Sequence, residues 1–107
     1  MSHRIEKYHV LFYGSPTGYR NNRAQIALYG TDGKTKAYIR FHDPDHSFPE
    51  DTETGSGRFV MHLPTSSFQD VIDVLRNESG TYVYMAAGRV FLGTAKEPIG
   101  EGEIVAA

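Results

Sequence analysis

The spacing of apolar residues in the first half of the chain predicts β-strands. Alternate positions are apolar from Arg23 to Gly30, and the same alternation returns from Lys34 to His42. A period of two is typical of strands that bury one face. The two runs are separated by a turn that ends in Asp32-Gly33, and an Asp-Gly pair favours a tight hairpin connection. We therefore expect an antiparallel hairpin at this place.

Four other segments have a strand-like composition. They are Ile5 to Tyr13, Phe59 to Leu63, Thr81 to Ala86 and Arg89 to Lys96. The last two are joined only by Ala87-Gly88 and predict a second hairpin. Because most of the connecting segments are short, we expect a mostly antiparallel sheet of about six strands.

The apolar spacing changes between the fourth and fifth predicted strands. Four apolar residues follow one another at i, i+3, i+4 and i+7, which predicts one face of a helix. These residues are Phe68, Val71, Ile72 and Leu75. Ser66 and Gln69 fit a capping box, so the helix is expected over roughly 66 to 78. The fold class is then α+β, with the helix on the apolar face of the sheet.

Length and composition favour one globular domain. The chain has 107 residues, of which 39% are hydrophobic, and it contains no cysteine. These values exclude wholesale disorder and any disulfide framework. No apolar run is long enough for a signal peptide or a membrane span, so we expect a cytoplasmic protein. We divide the chain into a domain over 1–96, with an acidic loop over 43–57, and an acidic tail over 97–107.

Charge is segregated along the chain, although the net charge is only −2. Five acidic residues lie in the acidic loop and three in the tail, and neither segment contains Lys or Arg. The rest of the chain carries 11 basic and 5 acidic residues. The ordinary explanation is that loops and tails carry solubilising charge. The alternative is a basic scaffold with acidic appendages.

The polar face of the predicted hairpin combines basic and aromatic side chains. Single-stranded nucleic acid requires this combination, because cations neutralise phosphates and aromatic rings stack on bases. The residues expected to bind it are Arg23, Gln25, Tyr29, Lys34, Lys36, Tyr38 and Arg40. A solvated sheet face has a similar composition, since Tyr favours strands and has a polar tip.

The order of elements over residues 4–78 carries a resemblance to a known family. Four strands are followed by a helix, and the fourth strand runs through Leu63-Pro64-Thr65 into the apolar helix stripe. This arrangement resembles the repeating unit of the Whirly and transcriptional-coactivator class of single-strand-binding domains. The resemblance implies a homodimer that packs its helices together through Phe68, Val71, Ile72 and Leu75. It also implies that the opposite sheet face takes single-stranded DNA or RNA.

No segment has the pattern of a catalytic or cofactor site. The cluster His42-Asp43-Pro44-Asp45-His46 contains potential metal ligands, but Pro44 prevents the helical spacing that usually holds a metal pair. The Gly14-to-Gly18 loop lacks the Gly-Lys-Ser/Thr element that cradles phosphate. We therefore expect a protein that is not an enzyme and that uses no metal or other cofactor.

Two other functions remain open from the sequence. The first is a protein-interaction or assembly domain whose sheet edges and helix bind partner chains, without a role for nucleic acid. The second is a small-molecule binder in a curled sheet. Its lining would be formed by Tyr82, Tyr84, Met85 and Phe91.

Overall fold

The apolar alternation in the sequence produces strands both before and after the single described helix along the chain. The computed structural model describes residues 2–44, 47–78 and 80–95. The strands in these ranges are β1 (Ser2–Phe12), β2 (Ala24–Gly30), β3 (Thr35–His42), β4 (Thr52–Glu53), β5 (Phe59–Pro64), β6 (Thr81–Ala86) and β7 (Arg89–Thr94). A short 3-10 turn, Thr65–Ser67, leads into the helix α1, Phe68–Asn77. The α+β class is confirmed.

These strands form one mixed sheet in the order β4-β5-β3-β2-β1-β6-β7. Neighbouring strands are antiparallel except β3 and β5, which run parallel. Parallel strands need a crossover connection, and the segment that contains the acidic loop provides it. The short strand β4 also lies in this segment. Five strands therefore precede the helix, which lies between β5 and β6 rather than between a fourth and a fifth strand.

The hairpin of β2 and β3 forms the centre of the core. Its buried side chains lie opposite one another, Ala24 with Phe41, Ile26 with Ile39 and Leu28 with Ala37. At the predicted turn, Gly33 has a φ of 79°, a left-handed conformation that glycine adopts without strain. The Gly33 N–H donates to the Gly30 carbonyl at 3.0 Å and closes the turn.

The sheet is curled, so that strands far apart in its order approach each other. His3 on β1 contacts Phe59 on β5, with 5.5 Å between ring centroids, although two strands separate β1 from β5. Asp51 connects a second pair of strands that are not neighbours in the sheet order. Its carboxylate accepts hydrogen bonds from the His62 N–H of β5 at 2.8 Å and from the Val90 N–H of β7 at 2.9 Å. One side chain thus connects β5 with the last strand of the sheet.

The helix begins two residues later than the sequence predicts. Residues 65–67 form the 3-10 turn, and no side-chain hydrogen bond caps the first turn of α1. The predicted capping box is therefore absent. The Gln69 Nε2 donates instead to Asp73 Oδ1, one turn further along the helix, at 3.0 Å.

Two further sequence predictions concern the ends and the environment of the chain. The predicted acidic tail, residues 97–107, lies outside the residues that the structure describes. Within the described ranges, no helix has the length and apolar character that a bilayer crossing requires.

Candidate nucleic-acid interface

The face of the sheet turned away from the core and α1 is called the outer face here. Three of the predicted binding residues meet on it. Gln25 on β2 lies opposite Arg40 on β3, and Arg40 Nε donates to Gln25 Oε1 at 3.2 Å. The Arg40 guanidinium carbon lies 5.9 Å from the centre of the Tyr38 ring, a cation–π distance. All three side chains are half-buried, so they form a partly ordered polar surface.

Three other predicted residues lie towards the turn end of the hairpin. Tyr29 is half-buried near the end of β2, and Lys34 is exposed in the turn. The Lys36 ammonium forms an ion pair with Asp32 at 2.9 Å. Hydrogen bonds from the Lys34 backbone N–H and from the Lys36 side chain hold the pKa of Asp32 below its ordinary value. Lys36 therefore has an acidic neighbour that competes with a phosphate.

Arg23 lies apart from this group and has many partners. Its guanidinium donates to Asp43 Oδ2 at 2.9 Å through Nη2 and at 3.2 Å through Nε. It also donates to the carbonyls of Tyr13 at 2.7 Å, Ser15 at 2.9 Å and Pro16 at 3.1 Å. The hydrogen bond to Asp43 raises the pKa of Arg23. In this arrangement Arg23 ties the loop after β1 to the end of β3.

The four residues predicted for the dimer interface pack against the core of their own chain. Val71 and Ile72 are buried, and Phe68 and Leu75 are partly buried on the same cluster. The Phe68 ring lies 5.0 Å from the Phe41 ring and 4.9 Å from the Phe12 ring. Most of the apolar stripe of α1 is therefore covered without a partner.

Two histidines form a pair that the sequence analysis missed. His42 is only 3% exposed, and its Nε2 lies 2.9 Å from Nδ1 of His62. The other nitrogen, His42 Nδ1, lies 3.1 Å from the carbonyl oxygen of Asn21. That oxygen can only accept, so His42 Nδ1 carries the proton and, with both rings neutral, His62 Nδ1–H donates to His42 Nε2. Phe48 stacks on the His42 ring with centroids 5.0 Å apart.

The environment of His62 disfavours its charged form. Burial is the main cause of its lowered pKa, and the neighbouring His42 and Arg40 act in the same direction against Asp51. His62 also lines an open groove of about 780 Å³ between β5 and the β6–β7 turn. Only the parallel pairing of β3 and β5 brings the two histidines together, and no local pattern indicates that pairing.

The residues proposed to line a small-molecule site do not share one cavity. Met85 packs against the core, whereas Tyr84 and Phe91 stack on the outer face with centroids 5.0 Å apart and planes 7° apart. Each of these two aromatic side chains is 38% exposed. The curled sheet therefore does not enclose the predicted pocket.

Metal ligands do not assemble in the part of the chain that the structure describes. There, no three His, Asp or Glu side chains come together in a group that could hold a metal ion. Two members of the candidate cluster, Asp45 and His46, lie outside the described residues.

Comparison with known proteins finds no match for this chain among family models, curated proteins or solved structures. The Whirly-like resemblance therefore stays a prediction, which rests on the order of strands and helix alone.

Proposed function

We propose that the outer face of the sheet binds single-stranded DNA or RNA without strong preference for base sequence. The observation that carries this proposal is the contact of Tyr38, Arg40 and Gln25 on one surface. Arg40 supplies a cation for phosphate, Tyr38 supplies a ring for a base, and Gln25 orients the guanidinium. Arg40 and Lys34 form no ion pair within the described residues.

The predicted binding residues differ in how far other contacts within the protein already occupy them. Lys36 can contribute once it leaves Asp32, because an exposed ion pair of this kind is weak. Arg23 contributes to the fold through Asp43 and three carbonyls instead of contacting phosphate. The binding surface is thus centred on β3, with Tyr29 and Lys34 at its margin.

The experiment is a fluorescence anisotropy titration with single-stranded oligonucleotides at two salt concentrations. Lys36→Glu combined with Arg40→Glu should abolish binding, and Tyr38→Ala should weaken it by roughly 1–3 kcal/mol, the value of one stacked base. The melting temperature of these variants should stay near that of the wild type. The slope of log affinity against log salt should fall by about 1 for each phosphate contact removed.

A matched control carries the same change in charge away from the outer face. Arg58 and Arg76 are both exposed, the first before β5 and the second in the last turn of α1. Arg58→Glu combined with Arg76→Glu should leave affinity close to that of the wild type. Equal losses in both double variants would show that net charge alone attracts the oligonucleotide, and would contradict the proposed site.

A protein-interaction function is the second candidate, and one observation favours it. Phe12 is 65% exposed although it belongs to the core side of β1 and touches Phe68. Tyr8, on the same side of β1, is also exposed. A second copy of this chain is the proposed partner for this edge of the core, which would give a homodimer through Phe12 and Tyr8 instead of the predicted one through the helix stripe.

A further inference from the structure

We propose that a recess on the outer face beside Tyr84 holds one unpaired base of a bound nucleic-acid strand. This inference deepens the proposed function and rests on it. It adds a second stacking position, on β6 and β7, to the one that Tyr38 provides on β3.

The recess has the size and the open floor that a flat ring needs. Its volume is about 350 Å³, and it is lined by Ser2, Tyr82, Tyr84, Gly93 and Thr94. Gly93 lies opposite Tyr82 in the β6–β7 pairing, and a Cβ added at Gly93 would meet no atom within 4 Å. The missing side chain at this position therefore leaves space beside two tyrosine rings.

Tyr84 is held in a suitable orientation for stacking. On one side its neighbour in register is Phe91 of β7, whose ring stacks on it almost in parallel. On the other side its neighbour is Ser2 of β1, whose small side chain also lines the recess. A base that enters the recess would meet the ring face of Tyr84 that Phe91 does not cover, and would extend the aromatic stack to three rings.

Exposed cations lie on the strands that border the recess, although Arg4 and Lys7 also line a groove that contains Glu6 and Glu78. Arg4 lies opposite Tyr82 on β1, and Arg89 begins β7. Both are exposed, as is Lys7 further along β1, and none of the three forms an ion pair within the described residues. The two ion pairs seen there involve Arg23 and Lys36 instead. Like Arg40 and Lys34 of the hairpin, and unlike Lys36, these cations can therefore contact phosphates without first leaving an ion pair.

The distance between the two stacking positions fits one strand of several nucleotides. Tyr38 lies on β3 and Tyr84 on β6, three strand spacings apart in the sheet order. Tyr38 is in register with His9 of β1 through Ala27, whereas Tyr84 is in register with Ser2, so the two positions also lie seven residues apart along β1. At about 4.8 Å for each strand spacing and about 3.3 Å for each residue, the separation along the sheet is about 27 Å. Exposed Lys7 and His9 of β1 lie between them. A free nucleotide could use the recess alone, but only a strand would use both positions and the cations between them.

The test uses Gly93→Val, which fills the recess while Tyr84, Phe91 and the cations stay in place. Valine favours strands and Gly93 has space for it, so the melting temperature should not fall. Affinity for an oligonucleotide of about 12 nucleotides should fall at least about fivefold, the loss expected for one stacked base. Tyr84→Ala should have a similar effect. The matched control is Gly55→Val, since Gly55 also has open space around it and lies away from the outer face.

The outcomes separate the inference from the proposed function. If the wild type binds and Gly93→Val binds with the same affinity, the recess does not hold a base and only this inference fails. If a nucleoside monophosphate binds as tightly as the oligonucleotide and Gly93→Val abolishes both, the ligand is a free nucleotide and the strand is excluded. If the wild type binds no oligonucleotide at low salt, the proposed function and this inference both fail.

Discussion

The imidazole of His62 donates a hydrogen bond to that of His42, with 2.9 Å between the two nitrogens. His42 Nδ1–H in turn donates a hydrogen bond to the carbonyl of Asn21, so one chain of hydrogen bonds connects β5, β3 and the loop before β2. A second proton on His62 would go to Nε2, away from this contact, and burial of the ring disfavours it. The fold is therefore coupled to pH through His62.

Stability should fall as the pH is lowered through the titration of His62. Because its pKa is lowered in the folded protein, the folded state binds this proton more weakly than the unfolded chain does. The stabilisation is complete above about pH 6.5, the ordinary pKa of histidine, and is lost as the pH falls through the lower pKa of the folded state. Melting temperatures measured from about pH 8 to about pH 5 should show this decrease.

The pH dependence is tested by replacing His62, and an exposed histidine on the same face, His9, serves as the control. His62→Asn keeps a donor for His42 and removes the titration, so its melting temperature should depend less on pH than that of the wild type. His9 is exposed, and His9→Asn should keep the wild-type dependence. A His62→Asn variant with an unchanged pH profile would assign the effect to other groups.

Arg23→Lys should lower the melting temperature and leave oligonucleotide affinity unchanged. The planar guanidinium reaches Asp43 and three backbone carbonyls at once, and a single ammonium cannot reproduce that geometry. Thermal melts and anisotropy titrations measure the two effects separately. Arg20→Lys, at an exposed position three residues earlier, is the conservative control. If Arg23→Lys lost oligonucleotide affinity and kept its melting temperature, Arg23 would belong to the binding surface and this prediction would be wrong.

The hairpin and the helix could be predicted because their patterns are local. Strict alternation and Asp32-Gly33 specify β2, β3 and their turn within twenty residues. The helix stripe likewise depends on spacings of three and four residues. Its first turn was misplaced, because Ser66 and Gln69 match a capping box in sequence but the chain forms a 3-10 turn there.

The parts of the site that depend on distant residues could not be predicted in this way. The parallel pairing of β3 with β5 follows a long crossover, and it alone brings His42 to His62. The sequence predicts Arg23 to be a surface cation, since its backbone carbonyl partners have no side-chain signature in the sequence. Asp51 belonged to an acidic loop interpreted as solvated, yet its carboxylate connects two strands.

Asp51→Ala should lower the free energy of unfolding by about 1–3 kcal/mol, the cost of leaving partly buried donors without partners. The variant loses the acceptor for the His62 and Val90 N–H groups, so β7 is no longer tied to β5. Denaturant unfolding measures the loss, and faster hydrogen exchange at the Val90 amide localises it. The neighbouring Glu50 is exposed, and Glu50→Ala should change neither quantity. An unaltered Val90 exchange rate would show that β7 stays beside β5 without the hydrogen bonds of Asp51.

Dimerisation should depend on Phe12 and not on the buried residues of α1. Val71 is covered by its own core, so Val71→Asp should unfold the chain whether or not a dimer exists. Phe12 is largely exposed, and Phe12→Ser should leave the melting temperature of the single chain nearly unchanged while it converts a dimer into a monomer. Sedimentation at micromolar concentration distinguishes these states. Leu11→Ser, on the outer face of the same strand, is the control, since Leu11 is also exposed but does not lie beside Phe68. A wild-type protein that sediments as a monomer would contradict the homodimer, and the exposure of Phe12 would then favour a different protein partner.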